Sequence, residues 1–423
     1  MSKIAVIGTG YVGLTTSVGL ADLGHEVVAF DINPEKITSL ALGKSPIFEP
    51  GLEEILGNVL KTKNLLVTDD LAFAVSEAEF IFTCVPTPQD EDGSADLSFV
   101  LAASQAIGPL LKSNSIVITK STVPVGAAVQ VEKALNRKDI HVASNPEFLR
   151  EGAAVQDFKS PDRIVVGARN TEIGNRVLAL YSKIDCPKII TSQSAAELIK
   201  YASNSFLAMK LSFVNDMAAL CEAVEANPID VMHGMGLDSR IGNKFLEPGP
   251  GWGGSCFPKD TRALGAIAEE HGIQIPLVAA TIASNETAHE RVADRAMHAL
   301  GGSLVGAEIA VLGITFKANT DDTRDSPAIA VIERLIGRGA QVRAFDPMVN
   351  SYSLSGLEIC DSVEQAIVNA DALIVLTEWP EFKKIDPTTT LKAMKQQIVI
   401  DTRNIIDRSA WESAGAIFPR LKA

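Results

Sequence analysis

Residues 3–13 read KIAVIGTGYVG, and this stretch decides the fold of the first part of the chain. The apolar run Lys3–Gly8 predicts a short β-strand, and a helical pattern follows the glycines as far as Leu23. The next apolar run, His25–Asp31, ends on an acidic residue. A GxGxxG turn between a strand and a helix, with an acid at the end of the second strand, is typical of a dinucleotide-binding βαβ unit.

Each residue of the turn has a physical task in such a unit. Gly8 permits the tight turn, Gly10 lets the backbone approach a pyrophosphate, and Gly13 allows close helix packing. Asp31 would accept hydrogen bonds from the adenosine ribose and repel a 2′-phosphate, so the pattern favours NAD over NADP. The alternative is a glycine-rich turn in an α/β domain that has lost its cofactor.

The pattern beyond this turn predicts an α/β fold of two Rossmann-like doubly wound domains joined by a long central helix. Further apolar strands are predicted at Phe80–Val85, Ser115–Thr119 and His141–Ser144, with helical stretches between them, which indicates a parallel sheet. Four elements then recur in the same order near the C-terminus, which argues for a second unit. These are the runs 309–313, 342–346, 373–377 and 398–401. The second unit lacks the glycine fingerprint, so it should bind a different nucleotide or none.

The middle of the chain predicts a single long helix. Residues 194–227 contain neither glycine nor proline, Ser194 and Glu197 have capping-box spacing, and Pro228 would end the run. A helix of this length suggests a spine between two domains and a surface for a second subunit. We therefore predict an NAD-binding domain at 1–193, a helical linker and dimerisation domain at 194–300, and a second Rossmann-like domain at 301–423.

Composition excludes several classes of protein. The net charge of −14 argues against a nucleic-acid or anionic-membrane surface, so an anionic substrate would need a locally basic pocket. The five cysteines are widely spaced, and neither they nor the six histidines match a metal-site pattern. The N-terminus has no features of a signal peptide, and no apolar run is long enough to span a bilayer. These features predict a cytoplasmic protein without a bound metal.

A second glycine-rich stretch carries a cysteine. Residues 249–260 read GPGWGGSCFPKD, so Cys256 ends a loop that could wrap a ligand closely, and Lys259 and Asp260 follow it. A nearby ammonium favours the thiolate, which is the nucleophilic form of cysteine. A single cysteine would otherwise be interpreted as a small buried apolar residue.

With these motifs, the chain resembles the UDP-glucose 6-dehydrogenases within the nucleotide-sugar dehydrogenase family. The resemblance covers nearly the whole chain and includes residues 8–13, 121–126, 145–152, 240–245, 251–260 and 316–324. It implies a four-electron oxidation of the sugar C6 alcohol to a carboxylate with two NAD. The aldehyde would be captured by Cys256 as a thiohemiacetal, oxidised to a thioester and hydrolysed. An aldehyde becomes a hydride donor only once a nucleophile has made it tetrahedral.

The resemblance also assigns roles to the catalytic residues. Lys200 and Asn204, at i and i+4, would stabilise the developing oxyanion, although an ordinary solvated helix face is the alternative. Asp260 would tune Lys200, while Glu147 and Thr122 would position or activate the hydrolytic water. The implied cofactor-binding residues are Gly8, Gly10, Tyr11, Val12, Gly13, Asp31, Lys36, Thr87, Thr122, Glu151, Lys259 and Arg324.

The nucleotide sugar is implied to contact residues in the second half of the chain and in the 148–151 segment. They are Phe148, Leu149, Arg150, Glu151, Lys200, Asn204, Phe245, Leu246, Gly249, Gly253, Lys317 and Arg403, together with Arg240 from a neighbouring subunit. Surface residues in weak salt bridges are the alternative for Lys317 and Arg403. The active site would lie in a cleft between the end domains of a homodimer or an assembly of dimers.

Three alternatives to oxidation of UDP-glucose remain open. The same chemistry could act on GDP-mannose or a UDP-N-acetylhexosamine. A one-step 3-hydroxyacid dehydrogenase would also join a Rossmann unit to a long helix, but would need neither the thiol nor a second nucleotide domain. An NAD-responsive binding module would keep the glycine turn without a reason to keep Cys256, Lys200 and Asn204 together.

Overall fold

The first strand and the glycine turn begin a sheet whose two faces are both covered by helices. The computed structural model describes residues 1–90 and 92–420. Alternate residues of the first strand enter different cores: Ile4 and Val6 pack into one apolar cluster, Ala5 and Ile7 into another. Because both faces are buried, the strands read as continuous apolar runs rather than alternating ones.

This first unit comprises residues 1–203 and 262–273. Its eight strands are β1 Lys3–Ile7, β2 Glu26–Phe30, β3 Leu65–Thr68, β4 Phe80–Thr83, β5 Ile116–Thr119, β6 His141–Ser144, β7 Ile164–Ala168 and β8 Lys188–Thr191. Its helices are α1 Tyr11–Asp22, α2 Pro34–Ala41, α3 Leu52–Lys61, α4 Leu71–Val75, α5 Ser98–Ile107, α6 Ala127–Leu135, α7 Ala154–Lys159 and α8 Thr171–Ala179, with a 3₁₀ turn at Gly108–Leu110.

The strands lie in the order β3-β2-β1-β4-β5-β6-β7-β8. The parallel pairing predicted for β1, β2, β4, β5 and β6 is confirmed. The sheet also contains β7, which was not among the predicted strands and which runs antiparallel to β6, with Ala143 opposite Ala168. The remaining pairs are parallel, so the carboxyl ends of β1, β4, β5 and β6 meet at one edge. The chain leaves that edge at Gly8, Cys84, Lys120 and Asn145, and this edge is where ligands bind in open α/β sheets.

The second unit comprises residues 204–261 and 274–423. Helices α10 Pro228–Gly236 and α12 Pro276–Ala299 lie within it, whereas α9 Gln193–Ala223 and α11 Phe257–Glu270 each contain residues of both units. The later elements are β9 Glu308–Leu312, α13 Pro327–Gly337, β10 Gln341–Phe345, β11 Leu357–Ile359, α14 Val363–Ile367, β12 Ala372–Val375, a 3₁₀ turn at Pro380–Lys384, α15 Pro387–Ala393, β13 Ile398–Asp401 and α16 Arg408–Ser413. The five strands are all parallel, in the order β11-β10-β9-β12-β13. The predicted repeat of four strand elements is therefore confirmed.

The long helix is confirmed and begins at Gln193, next to its predicted start, but its predicted C-terminal end and its predicted cap are wrong. Helix α9 ends at Ala223, because Glu225 adopts a left-handed φ of 62° and breaks the helical path before Pro228. At its start, the backbone N–H of Ala195 donates to the Ser192 hydroxyl, so Ser194 is not the cap. Glu197 instead accepts hydrogen bonds from the N–H groups of Gly126 and Ala128, at the beginning of α6. Among residues 1–90 and 92–420, no helix combines the length and apolarity needed to cross a membrane.

Candidate active site

The glycine turn of the first unit has the shape that a dinucleotide phosphate requires. A Cβ on Gly8, where φ is +93°, would lie 2.8 Å from the Cys84 carbonyl oxygen, and one on Gly13 would lie 1.9 Å from that of Gly8. A Cβ on Gly10 would meet no described atom within 4 Å. Gly10 directly precedes α1 and has no side chain to cap it, so the first-turn N–H groups can face a phosphate.

Asp31 lies beside this turn as a nearly buried carboxylate. It accepts hydrogen bonds from the Thr9 backbone N–H at 2.9 Å, the Thr9 hydroxyl at 2.7 Å and the Lys36 ammonium at 3.2 Å. Burial alone would raise the pKa of Asp31, but the hydrogen bonds from Thr9, Asn33 and Lys36 together hold it below its ordinary value. The group is therefore a carboxylate at neutral pH and can accept from a ribose hydroxyl.

The second unit repeats this arrangement with one more internal donor to the carboxylate. Asp346, at the end of β10, accepts from the backbone N–H groups of Ile314 and Thr315 and from the Thr315 hydroxyl, as Asp31 does from Thr9. The Trp379 indole N–H donates to the same carboxylate at 3.2 Å. Asp346 is only 2% exposed. With its oxygen surrounded by the protein's own donors, Asp346 does not offer a ribose site of the Asp31 type.

A buried ion pair stands at the carboxyl edge of the first sheet. The Lys200 ammonium on α9 lies 2.7 Å from a Glu147 carboxylate oxygen, and both side chains are almost fully buried. Burial would raise the pKa of Glu147, but the Lys200 charge and hydrogen bond, with the Leu149 N–H and Lys120, lower it. Burial lowers the pKa of Lys120 to about 8, opposed by Glu147 and Cys84. The edge thus holds an ionised carboxylate between two buried amines.

Carboxylates also hold the segment that follows Glu147. The other Glu147 oxygen accepts from the Leu149 backbone N–H at 2.6 Å. Asp157 accepts from the Arg150 N–H at 2.9 Å and pairs with its guanidinium. The Phe148 ring is covered by the Arg163 guanidinium at 3.7 Å from the ring centre. Four of the predicted substrate contacts, residues 148–151, therefore lie on a backbone whose conformation is strongly fixed.

In the second unit, the 249–254 loop is crowded by its surroundings at four glycines. A Cβ on Gly249 would lie 2.7 Å from the Arg403 guanidinium, and one on Gly253 would lie 1.9 Å from the Asp325 carbonyl oxygen. Gly251 and Gly254 adopt φ of +144° and +82°, and a Cβ there would meet His289 and Phe316 respectively. Gly251, Gly253 and Gly254 are therefore restricted to glycine by a positive φ or by close backbone, whereas a side chain at Gly249 would have to displace the Arg403 guanidinium.

Cys256 follows this loop and stands directly before helix α11. Its carbonyl accepts the first helical hydrogen bond of α11, from the Asp260 N–H, so Cys256 is the residue from which this helix starts. The Asp260 carboxylate accepts from Asn204 Nδ2 at 2.6 Å and from the Lys259 ammonium at 2.8 Å. Asn204 is one helical turn from Lys200 on α9. The structure therefore brings Asn204, Asp260 and Lys259 together in the second unit, and Lys200 with Glu147 in the first.

The other predicted contacts occupy varied positions. Arg403 donates to the Leu376 carbonyl at 2.9 Å and lies 3.2 Å from Glu378. The Lys317 ammonium lies 5.3 Å from the centre of the Phe316 ring. Arg240 is largely exposed and pairs with Asp238 through its guanidinium. Leu246 is buried. Thr87, Thr122, Glu151 and Phe245 are partly buried, and Arg324 is exposed and pairs with Asp322.

Sequence reasoning missed the side chains that support these loops. Asn285 on α12 brackets Trp252, accepting from its backbone N–H at 2.8 Å and donating to its carbonyl at 2.9 Å. The Ser212 hydroxyl accepts from the Trp252 indole N–H at 2.8 Å. Glu49 holds the 150–154 segment. Each acts on a residue at least 33 positions away in the sequence, and no local pattern signals such a contact.

Comparison with known proteins accounts for nearly the whole chain. Three domains of the UDP-glucose/GDP-mannose dehydrogenase family match it: the NAD binding domain at residues 2–185, the central domain at 194–287 and the UDP binding domain at 310–408. A UDP-glucose 6-dehydrogenase of Rhizobium meliloti is 47% identical over 95% of both chains. A solved UDP-glucose dehydrogenase of Pyrobaculum islandicum superposes with a TM-score of 0.92 at 36% identity, covering 100% of this chain and 98% of that one.

A solved UDP-D-ManNAc dehydrogenase of Pyrococcus horikoshii is also similar, with a TM-score of 0.88, 29% identity and coverage of 99% of this chain and 98% of that one. The fold, the glycine turn and these matches define an NAD-dependent oxidoreductase. The chain belongs to the UDP-glucose/GDP-mannose dehydrogenase family.

Proposed function

We propose that this chain oxidises UDP-glucose to UDP-glucuronate in two successive two-electron steps. The observation that carries the proposal is the position of Cys256, at the end of a glycine loop and the start of helix α11. One turn further along this helix, the Asp260 carboxylate accepts a hydrogen bond from Asn204. A one-step dehydrogenase has no use for a thiol in this position. The relatives named as UDP-glucose dehydrogenases support this sugar over the alternatives.

The residues of this chain divide the chemistry between them. Lys200 and Asn204 donate to the C6 oxygen as negative charge develops on it. The Cys256 sulfur attacks the aldehyde carbon, forming a C–S bond while the carbonyl oxygen takes up a proton. After the second oxidation, water attacks the resulting thioester, the C–S bond breaks, and the thiolate leaves as the carboxylate forms. Glu147 and Thr122 position that water.

NAD, when bound, accepts a hydride in each of the two oxidations. The first-turn N–H groups of α1 would hold its pyrophosphate, and Asp31 would hold its adenosine ribose. The remaining cofactor contacts are those predicted from the sequence, including Lys36, Thr87 and Glu151. The free cysteines accord with action in a reducing cytoplasm.

The experiment that tests the function combines purified protein with NAD and, separately, UDP-glucose, GDP-mannose and a UDP-N-acetylhexosamine. We expect two NADH per molecule of UDP-glucose consumed, with UDP-glucuronate as the product. One NADH per sugar would indicate a one-step dehydrogenase, and NAD binding without turnover would indicate a binding module. A higher kcat/KM with another nucleotide sugar would replace UDP-glucose as the substrate.

Asp31 should make the enzyme prefer NAD over NADP by about tenfold or more in kcat/KM, because its carboxylate repels a 2′-phosphate. The change Asp31→Ala should weaken NAD binding more than UDP-sugar binding, and it should reduce the ratio of kcat/KM with NAD to kcat/KM with NADP. Kinetics with both cofactors, and calorimetric titration with NAD and with UDP, measure these effects. Equal or better kcat/KM with NADP in the parent enzyme would contradict the assignment.

Helix α9 supports a further part of the proposal, a homodimer or an assembly of dimers. Phe206, Phe213 and Leu220, spaced seven residues apart, are each about half exposed and so form one apolar stripe. An isologous two-fold contact is the commonest way to bury such a surface. Arg240, with its exposed guanidinium, would then reach a neighbouring subunit.

Light scattering coupled to size exclusion should give a mass of at least twice the 45.0 kDa of one chain. Mixing Cys256→Ala subunits with Arg240→Ala subunits should then restore activity, because one site in each mixed dimer has both an intact cysteine and an intact arginine. Each variant alone provides the control. A mass near that of one chain would reject the dimer and the role of Arg240.

A further inference from the structure

Glu49 is a buried carboxylate to which the proposed chemistry gives no role. It lies in the turn before α3 and is 6% exposed. One oxygen accepts from the Tyr11 hydroxyl at 2.5 Å and from the Gly152 backbone N–H at 2.8 Å. The other accepts from the Ala154 backbone N–H at 2.7 Å. A buried acid with three donors is costly to disturb, because each donor would be left without its charged acceptor.

Tyr11 completes a clamp around one residue. Its hydroxyl also lies 3.1 Å from the Arg150 carbonyl oxygen, while Glu49 takes the N–H of Gly152. The one hydroxyl proton is shared unequally between Glu49 and the Arg150 carbonyl, so the Tyr11–Glu49 pair contacts the backbone on both sides of Glu151. Burial, followed by the hydrogen bond to Glu49, raises the pKa of Tyr11 far above its ordinary value, so the hydroxyl remains a donor at every working pH.

This clamp has a specific anchor. Tyr11 is the first residue of α1, the helix whose N–H groups would face the pyrophosphate. The other carboxylates on the segment, Glu147 and Asp157, act on Leu149 and Arg150 and do not involve α1 in their backbone hydrogen bonds. The Tyr11–Glu49 pair thus fixes Glu151 relative to the cofactor helix itself.

We propose that Glu49 and the Tyr11 hydroxyl are positioning residues that set Glu151 against the first turn of α1, so that NAD and nucleotide-sugar binding both depend on them. The inference rests on the proposed function in one respect, the assignment of Glu151 and its neighbours to both ligands. Neither group reacts. Each acts through the backbone on either side of Glu151.

The test uses Glu49→Gln and Tyr11→Phe in the full-length protein, with Glu54→Gln as the matched control on the exposed face of α3. In Glu49→Gln an amide NH₂ would replace one of the oxygens that now accept from Tyr11, Gly152 and Ala154, so at least one of these hydrogen bonds would be lost. We expect the Kd for NAD and the KM for the nucleotide sugar each to rise about tenfold, with kcat within about threefold. Tyr11→Phe should raise the Kd for NAD and the KM for the nucleotide sugar about threefold each, and the Glu54→Gln control should change neither constant.

The double variant separates positioning from general weakening. If Tyr11 acts through Glu49, Glu49→Gln with Tyr11→Phe should bind no more weakly than Glu49→Gln alone, because the two changes break one unit. A merely structural role would lower the unfolding temperature and leave the Kd for NAD unchanged. Additive effects, or a Kd for NAD within twofold of the parent in Glu49→Gln, would overturn the proposal.

Two further readouts keep the outcomes separable. Calorimetric titration with NAD needs no sugar substrate, so it decides the clamp even if the parent enzyme fails to oxidise UDP-glucose and the proposed function falls. If Glu49→Gln does not fold, Tyr11→Phe alone decides, because an unchanged Kd for NAD in that variant contradicts the inference.

Discussion

Replacing Cys256 with alanine should abolish net formation of the sugar acid, reducing it by several orders of magnitude, while NAD binding stays within about twofold of the parent. The thiol is the group that makes the aldehyde tetrahedral, and no other group in this chain is proposed to do so. Because Cys256 belongs to the second unit and the glycine turn to the first, loss of the thiol should leave the fold of the NAD-binding turn unchanged.

The measurement for this variant is mass-spectrometric detection of UDP-glucuronate, alongside calorimetric titration with NAD. Cys186→Ala is the matched control, since Cys186 is a partly buried thiol remote in sequence from the glycine loop. It should retain activity within about twofold. Substantial uronate from the Cys256→Ala enzyme would remove the covalent mechanism, whatever the state of the cofactor site.

Replacing Lys200 with methionine should have the largest effect on stability. Lys200 and Glu147 are a buried pair at 2.7 Å, and removing Lys200 takes away the hydrogen-bonded cation of a buried carboxylate, leaving only the charge of Lys120 to offset it. The expected cost is about 3–5 kcal/mol of unfolding free energy, together with loss of activity. Urea unfolding followed by circular dichroism measures it, with Lys133→Met, on the exposed face of α6, as a control that should cost less than about 0.5 kcal/mol.

The size of this deficit should depend on pH in a defined direction. In the parent, the pKa of Glu147 is held below its ordinary 4.5, so the pair stabilises the fold above that pH, and this contribution is lost as pH falls through the lowered pKa. Without Lys200, burial raises the pKa of Glu147, so the deficit should be greatest at neutral pH and shrink on acidification. Adding Glu147→Gln should recover much of the stability. A deficit that persists in the double variant would show that the cost came from packing rather than charge.

Much of the fold followed from local patterns. The glycine turn, the apolar strand runs and their recurrence near the C-terminus predicted both Rossmann-like units, because each of those signals lies within a few neighbouring residues. Strand direction carries no such signal: Ile164–Ala168 reads the same whether it runs parallel or antiparallel. The end of α9 was also hidden, since Glu225 is not a residue type that favours a left-handed φ.

The site was predictable to the extent that it consists of motifs. Cys256, Lys200 and Asn204 stood out because the glycine loop and the family resemblance pointed to them. Glu49 and Asn285 did not, because their partners lie 103 and 33 residues away and a lone acid or amide has no spacing to recognise. The burial of the Asp346 carboxylate was likewise not predicted, since one of its donors is the indole of Trp379, which is distant in the sequence.

The crowded glycines of the 249–254 loop bear on how this enzyme could change over evolutionary time. At Gly251, Gly253 and Gly254 any side chain would collide with the backbone of a neighbour or adopt a strained φ, so substitutions at these three positions should be strongly disfavoured. In the proposed function, a change of sugar preference would then arise at residues beside the loop, such as Arg403, His289 and Phe316. The loop would then stay constant in sequence, and the residues that contact it would determine specificity.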